Sequence, residues 1–215
     1  MKYKAVIFDL DGTLVNSLED IADSMNTVLK KHKFPTHSYE AYQLFIGNGI
    51  KNLVSKALPE EHKTEALINS CFNSMIHFYR DACTNKTKPY TGIIELLDYL
   101  VANNIKLGVF SNKADELTKK VTATLFPNYF EYSVGLTIES LKKPNPFKAV
   151  EISKKLGLKP EEIIFIGDTE VDMQTAKNAK MLPVGVLWGY RSKEELISNG
   201  AKHILNVPLE LNKIV

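Results

Sequence analysis

The chain has 215 residues, of which 44% are apolar and 24% are charged, and its formal net charge is +2. This length suits one large domain or a core with a smaller insert, and so small a net charge without a basic stripe argues against nucleic acid as a partner. The first residues show no signal-peptide pattern, and no apolar stretch approaches the roughly 20 residues of a membrane-spanning helix. We therefore expect a cytoplasmic protein without membrane contact, with Cys71 and Cys83 reduced and partly buried.

Short apolar runs without in–out alternation recur along the chain, and helical patterns lie between them. Such runs are typical of strands that are buried on both faces, as in a parallel sheet covered by helices. The alternation predicts an α/β fold, an open parallel sheet with right-handed crossovers. The predicted strands are residues 4–8, 105–110, 132–136, 162–167 and 182–188, with a possible sixth at 203–205.

Residues 16–83 interrupt this alternation, because they contain no convincing strand. Ser17 and Asp20 resemble an N-terminal capping box, and apolar residues at helical spacing follow them. These features predict a small helical domain over 16–83, inserted into a core formed by 1–15 and 84–215. Within the insert, Gly47, Asn48 and Gly49 form either a turn between two helices or a flexible loop over a substrate.

Polar residues follow four of the predicted strands. Ligands of open parallel sheets lie beyond the carboxyl ends of the strands, so these residues are candidates for a site. Taken singly they have simpler explanations: Asp11-Gly12 could be a turn, and Asp168 or Thr169 a helix cap. Because the residues after all four strands are expected at the same edge of the sheet, a functional site is the better explanation. The residues are Asp9 and Asp11, then Ser111, Asn112 and Lys113, then Lys143, and finally Asp168 and Asp172.

The residue types at these positions indicate phosphoryl transfer. Asp9 and Asp11, two apart, can face one substrate if the chain is extended there. Several carboxylate oxygens are the ligands that Mg²⁺ prefers, and a cation together with Lys143 would offset the repulsion between a carboxylate and a phosphate. Gly12 allows backbone N–H groups to approach the phosphoryl oxygens, and the Ser111 hydroxyl can donate to another oxygen.

Four segments together resemble the haloacid dehalogenase-like hydrolase superfamily: DLDGT (9–13), SNK (111–113), KPNP (143–146) and GDTEVD (167–172). The resemblance implies a Rossmann-like parallel-sheet core with an inserted helical cap domain. It also implies that Asp9 is the nucleophile and that Asp11 is the acid and base. Mg²⁺ would be held by Asp9, the carbonyl of Asp11 and Asp168, with Asp172 binding it directly or through another ligand. The residues expected to bind the phosphoryl group are Gly12, Thr13, Ser111, Asn112 and Lys143.

Two further segments, FIGNGIKNLV (45–54) and residues 187–205, are similar to bacterial phosphoglycolate phosphatases. This similarity implies a magnesium-dependent phosphatase that hydrolyses a small phosphorylated metabolite, 2-phosphoglycolate, through an aspartyl-phosphate, with Gly47, Asn48 and Gly49 at the substrate. The alternatives are an inorganic pyrophosphatase or nucleotide 5′-phosphatase on the same scaffold, and a binding or regulatory protein that has lost turnover. We expect a monomer or a weak homodimer.

Overall fold

A computed structural model describes residues 2–215, which divide into two compact units. The larger, the core unit, comprises the chain up to Asn16 together with Pro89–Val215, and the smaller, the cap unit, is Ser17–Lys88. The predicted boundaries lay at 15/16 and 83/84, so the returning boundary lies five residues later in the structure. Within the described part of the chain, no helix is both long enough and apolar enough to cross a membrane.

The elements follow the order expected of an α/β core with a helical insert. The strands are β1 (Ala5–Phe8), β2 (Val15–Asn16), β3 (Lys88–Pro89), β4 (Lys106–Ala114), β5 (Tyr132–Leu136), β6 (Ile163–Gly167), β7 (Leu182–Val186) and β8 (His203–Leu205). The α-helices are α1 (Leu18–Lys31), α2 (Tyr39–Phe45), α3 (Gly49–Ala57), α4 (Glu65–Ala82), α5 (Ile93–Ala102), α6 (Asp115–Leu125), α7 (Phe147–Leu156), α8 (Glu170–Asn178) and α9 (Lys193–Ser198).

The core unit contains a six-stranded sheet in the order β5-β4-β1-β6-β7-β8, and all its neighbouring strands are parallel. The predicted α/β class and all six predicted strands are thereby confirmed. β1 is central, and Ile7 lies between Gly108 of β4 and Phe165 of β6. Its four side chains are all buried, which explains why the run is apolar without alternation. This arrangement puts the carboxyl ends of β1, β4 and β6 side by side.

Helices α7 and α8 pack on one face of this sheet through small and branched side chains. Ala149 and Ile152 of α7 and Ala176 of α8 belong to the same buried cluster as Ile7 and Phe165 of the sheet. Each fully buried side chain as large as Ile7, Ile152 or Phe165 contributes about 1.5–3 kcal/mol to folding. The cluster holds the central strands, so their carboxyl ends have a rigid support.

The cap unit is helical, and its first helix begins differently from the prediction. The Ser17 side chain makes no capping hydrogen bond, so the predicted capping box is wrong. Asp20 is instead buried and accepts hydrogen bonds from the backbone N–H groups of Lys86 and Thr87, and from the Thr87 hydroxyl. These bonds fasten residues 86–87 to α1, which explains why the cap unit extends to Lys88.

The long helix α4 buries one stripe of side chains. Cys71, Met75 and Tyr79, at spacings of four, are fully buried. Cys71 and Cys83 form no disulfide with each other, and both are buried. The Thr64 side chain caps the first turn by accepting a hydrogen bond from the N–H of Leu67.

Candidate active site

The first carboxylate of the site comes directly after β1. The strand ends at Phe8, and the N–H of Asp9 continues its ladder by donating to the carbonyl of Ile166 at 2.9 Å. The chain then turns, because the Leu10 carbonyl accepts hydrogen bonds from the N–H groups of Thr13, Leu14 and Val15. Asp11 therefore lies in a turn, and the extended-strand argument for its alignment with Asp9 does not apply.

Position 12 requires glycine because of both its backbone conformation and the atoms around it. Its φ of +91° is in the left-handed region that favours glycine. A Cβ at this position would overlap the carboxylate of Asp168 and would lie 2.7 Å from the ring of Tyr190. Gly12 thus lets the turn after β1 lie directly against the loop after β6.

Lys143 supplies a buried positive charge at this edge of the sheet. Its Nζ lies 2.7 Å from Oδ1 of Asp9 and 2.6 Å from Oδ1 of Asp172, and its side chain is only 2% exposed. The amide of Asn112 holds the backbone of this lysine, donating to its carbonyl at 3.4 Å and accepting from its N–H at 2.8 Å. Asn112 therefore contacts the lysine loop, and Lys143 links two carboxylates from different strand ends.

Burial and neighbouring charges both shift the pKa values of Asp9 and Lys143. The pKa of Asp9 is raised to about 7, and burial is the main cause. The negative charges of Asp172 and Asp11 also raise this pKa, whereas Lys143 lowers it. For Lys143, burial lowers the pKa, but the carboxylates of Asp172 and Asp9 outweigh it and raise the pKa above its usual range. The lysine is therefore charged, and Asp9 is a carboxylate in an environment that disfavours its negative charge.

Asp168 follows β6 and is fully buried with neutral hydrogen-bond donors. Its carboxylate accepts from the Thr13 hydroxyl at 3.2 Å and from the N–H of Tyr190 at 2.8 Å. Burial raises its pKa well above the usual range, and the charges of Asp172 and Asp9 raise it further. A buried carboxylate with this environment is stabilised by a cation.

A divalent cation fits the carboxylates collected here. Asp9, Asp168 and Asp172 are all buried, and one oxygen of each lies within 4.8 Å of the others. Asp172 also has structural partners, since its Oδ2 accepts from the N–H and the hydroxyl of Thr169 at the start of α8, at 3.0 and 2.6 Å. The helix-capping interpretation of this segment is therefore correct, and it is compatible with a metal site.

Asp11 has its own lysine, Lys113, which the sequence places at this edge of the sheet without indicating a role for it. The Nζ of Lys113 lies 2.8 and 3.0 Å from the two carboxylate oxygens of Asp11. The Lys113 side chain is 1% exposed and that of Asp11 is 13% exposed. The signal was available, because β4 continues to Ala114 and Lys113 is two residues beyond Ser111 on the same strand.

The loop after β7 supplies further contacts that the motifs did not predict. The indole N–H of Trp188 donates to the Thr13 carbonyl at 2.9 Å. A Cβ on Gly189 would lie 2.5 Å from the carbonyl oxygen of Gly12 and would overlap Asp168. This loop therefore braces the turn after β1. The sequence signal was its position after a fifth strand of the same sheet.

The predicted site residues fall into two groups. One group lies in the core unit, at the carboxyl ends of its strands: Asp9, Asp11, Gly12, Thr13, Ser111, Asn112, Lys143, Asp168 and Asp172. The other lies in the cap unit, where Gly47 and Asn48 connect α2 to α3, whose first residue is Gly49. Gly47 and Gly49 have φ values of +116° and +77°, so a turn is present there.

Comparison with known proteins identifies the family. The sequence-family model of the haloacid dehalogenase-like hydrolases matches residues 6–186 of this chain. The chain belongs to this family. Its relatives include a phosphoglycolate phosphatase of Aquifex aeolicus, 33% identical over 188 residues that cover 87% of this chain and 86% of the relative. Another, from Chromobacterium violaceum, is 30% identical over 212 residues, covering 97% of this chain and 94% of the relative.

A solved structure agrees with these relatives. A candidate phosphoglycolate phosphatase of Lactobacillus delbrueckii superimposes with a TM-score of 0.92 at 30% identity, covering 100% of this chain and 98% of that one. The predicted resemblance and the predicted fold class are confirmed. This haloacid dehalogenase-like protein is an enzyme of the phosphatase type, a phosphoric monoester hydrolase similar to phosphoglycolate phosphatases.

Proposed function

We propose that this enzyme hydrolyses 2-phosphoglycolate in the presence of Mg²⁺ and that the reaction passes through a phosphorylated Asp9. The observation that carries the proposal is the buried Asp9 carboxylate, 2.7 Å from Lys143 and clustered with Asp168 and Asp172. Asp9, Asp168 and the backbone carbonyl of Asp11 would hold the ion, with Asp172 beside them. Bound Mg²⁺ would supply positive charge that reduces the repulsion between carboxylate and phosphate.

The proposed reaction uses two aspartates in different roles. An oxygen of Asp9 attacks phosphorus, and the bond from phosphorus to the ester oxygen breaks with its electron pair on that oxygen. Asp11 donates a proton to this leaving oxygen. In the second half, Asp11 takes a proton from water, the oxygen of that water attacks phosphorus, and inorganic phosphate leaves Asp9. Lys143 compensates negative charge throughout, and Ser111 donates to a phosphoryl oxygen.

The substrate is proposed from the relatives and from chemistry. Several relatives that align over most of the chain are phosphoglycolate phosphatases by name, which favours this substrate over pyrophosphate or a nucleotide. The glycolate group carries a carboxylate. Backbone N–H groups of residues 47–49, or Lys51 in α3, offer the donors that a carboxylate requires.

Trapping the phosphorylated enzyme tests the mechanism. Rapid acid quench with phosphate-labelled substrate should leave hydroxylamine-sensitive label on the native protein and none on Asp9→Asn, because an amide cannot attack phosphorus. The variant should lose about 10³-fold or more in kcat. Asp81→Asn is the matched control, since Asp81 is an exposed aspartate of the cap helix α4. Label or turnover retained by Asp9→Asn would refute the covalent role of Asp9.

A substrate series tests the specificity. We expect the highest kcat/KM for 2-phosphoglycolate among that ester, pyrophosphate and nucleoside 5′-monophosphates, measured with Mg²⁺ as phosphate release. A higher value for pyrophosphate or for a nucleotide would transfer the assignment to that substrate. It would leave the role of Asp9 unaffected, because all three reactions break a bond to phosphorus.

A further inference from the structure

The two aspartates of the proposed reaction are held by different lysines. Lys143 contacts Asp9 and Asp172, whereas Lys113 contacts both carboxylate oxygens of Asp11. A buried lysine whose ammonium nitrogen lies near both oxygens of one carboxylate restrains the position of that carboxyl group. The pair therefore restricts where Asp11 can present its oxygens.

Hydrogen bonds hold the backbone of Lys113 in place. Its N–H donates to the Ser111 hydroxyl oxygen at 3.2 Å, and its carbonyl accepts from the Thr118 hydroxyl at 3.3 Å. Gly135 of β5 lets the strands approach closely here, since a Cβ there would lie 2.6 Å from the Lys113 carbonyl oxygen and 2.5 Å from the Thr118 hydroxyl oxygen. A side chain that starts from so rigid a backbone can position its partner accurately.

We propose that Lys113 is a positioning residue that orients the Asp11 carboxyl group for proton transfer to the leaving oxygen; this rests on the proposed phosphatase reaction. As the bond from phosphorus to the ester oxygen breaks, the Asp11 proton moves to that oxygen. The Asp11 carboxylate formed by this step remains beside the Lys113 ammonium. Without Lys113, Asp11 loses its orienting partner while Asp9 keeps Lys143, so attack on phosphorus is retained and protonation of the leaving group is impaired.

The dependence on the leaving group distinguishes this role from a structural one. An alkoxide such as that of glycolate needs a proton to leave, whereas p-nitrophenolate leaves without one. Lys113→Met, which removes the charge and keeps the volume, should lower the rate at which 2-phosphoglycolate phosphorylates Asp9, measured in a single turnover, by about 10²-fold, within the usual contribution of proton transfer. The loss of this phosphorylation rate with p-nitrophenyl phosphate should be less than about fivefold. Lys113→Arg, which keeps the charge, should recover part of the activity.

Lys106→Met is the matched control, because Lys106 begins the same strand and donates to the Leu156 carbonyl away from the site. Its activity on both substrates should equal that of the native enzyme. Equal losses of the phosphorylation rate with both substrates in Lys113→Met would overturn the proposal, because a distorted site affects all leaving groups. An unchanged phosphorylation rate with both would overturn it as well.

A double-mutant cycle with Asp11 completes the test. If Lys113 acts through Asp11, the pair Asp11→Asn/Lys113→Met should match Asp11→Asn alone within about threefold on 2-phosphoglycolate. A further large loss in the double variant would show that Lys113 acts elsewhere. Should Lys113→Met fail to fold, this comparison still decides, because the double variant leaves no unpaired charge. A native enzyme that forms no phosphorylated Asp9 would instead refute the proposed function.

Discussion

Asp168 and Asp172 follow the same strand, but their carboxylates have different partners. Both oxygens of Asp172 have contacts, one with Lys143 and the other with Thr169. Asp168 is fully buried, and the donors to its carboxylate among the described residues are the neutral groups of Thr13 and Tyr190. Burial among neutral donors is costly for a carboxylate, so Asp168 gains the most from a bound ion.

The two residues should therefore differ when each is neutralised. We expect Asp168→Asn to weaken Mg²⁺ binding by about tenfold or more, whereas Asp172→Asn weakens it less. Asp172→Asn should instead lower the free energy of unfolding by about 1–3 kcal/mol, because it removes one of the two carboxylates beside the buried Lys143, which keeps Asp9. Isothermal titration calorimetry measures the first effect and denaturant unfolding the second. Equal affinities for the ion in the two variants would reverse our assignment of the ligands.

Among the elements, α1 has an unusual role in the cap unit. Asp20 in its first turn accepts hydrogen bonds from the returning segment, at 2.8 Å from the N–H of Thr87 and 2.6 Å from its hydroxyl. Asp23, one turn later, forms an ion pair with Lys86 at 2.8 Å, but both side chains are about half exposed. The same helix thus presents one buried and one exposed aspartate to the same segment.

This difference in burial predicts a difference in stability. Asp20→Ala should lower the free energy of unfolding by about 2–4 kcal/mol, because it leaves buried N–H groups without acceptors. Asp23→Ala is the control and should lower it by about 1 kcal/mol or less, as exposed ion pairs do. Urea unfolding followed by circular dichroism measures both. Similar losses in the two variants would mean that the Asp20 contacts add no more than a surface pair.

The turn between α2 and α3 offers a test of substrate recognition. Asn48 is the residue directly before α3 and lies between the two glycines of this turn. If residues 47–49 contact the glycolate group, Asn48→Ala should lower kcat/KM for 2-phosphoglycolate by about tenfold, the effect of one lost hydrogen bond to a charged group. The value for p-nitrophenyl phosphate should stay within about twofold. An equal loss on both substrates would assign the turn a structural role only.

The whole molecule should respond to the proposed ion even in the absence of a substrate. A ligand that binds only the folded state stabilises it by about 2.7 kcal/mol at a hundredfold excess over Kd. We therefore expect Mg²⁺ to raise Tm by several degrees relative to the chelator-treated protein, and Asp168→Asn to reduce that rise. Thermal unfolding followed by circular dichroism measures both. The same Tm with and without Mg²⁺ would argue against an ion at the three buried carboxylates.

The sequence alone determines the α/β class, the strands and the chemical type of the site. Buried parallel strands require continuous apolar runs, so β1, β4 and β6 are visible in the sequence. Parallel connections return every strand in the same direction, so polar residues after each run must collect at one edge. For this reason Asp9, Asp168 and their neighbours could be recognised without coordinates.

Only the tertiary structure decides which of those charges meet. Lys113 and Asp11 are 102 positions apart, Thr87 and Asp20 are 67 apart, and Lys143 and Asp172 are 29 apart. Periodicity records which face of an element is buried, but it contains no information about contacts between distant elements. The capping box predicted at Ser17 fails for the same reason, because Thr87, brought close by the fold, supplies a better donor to Asp20 than the local backbone does.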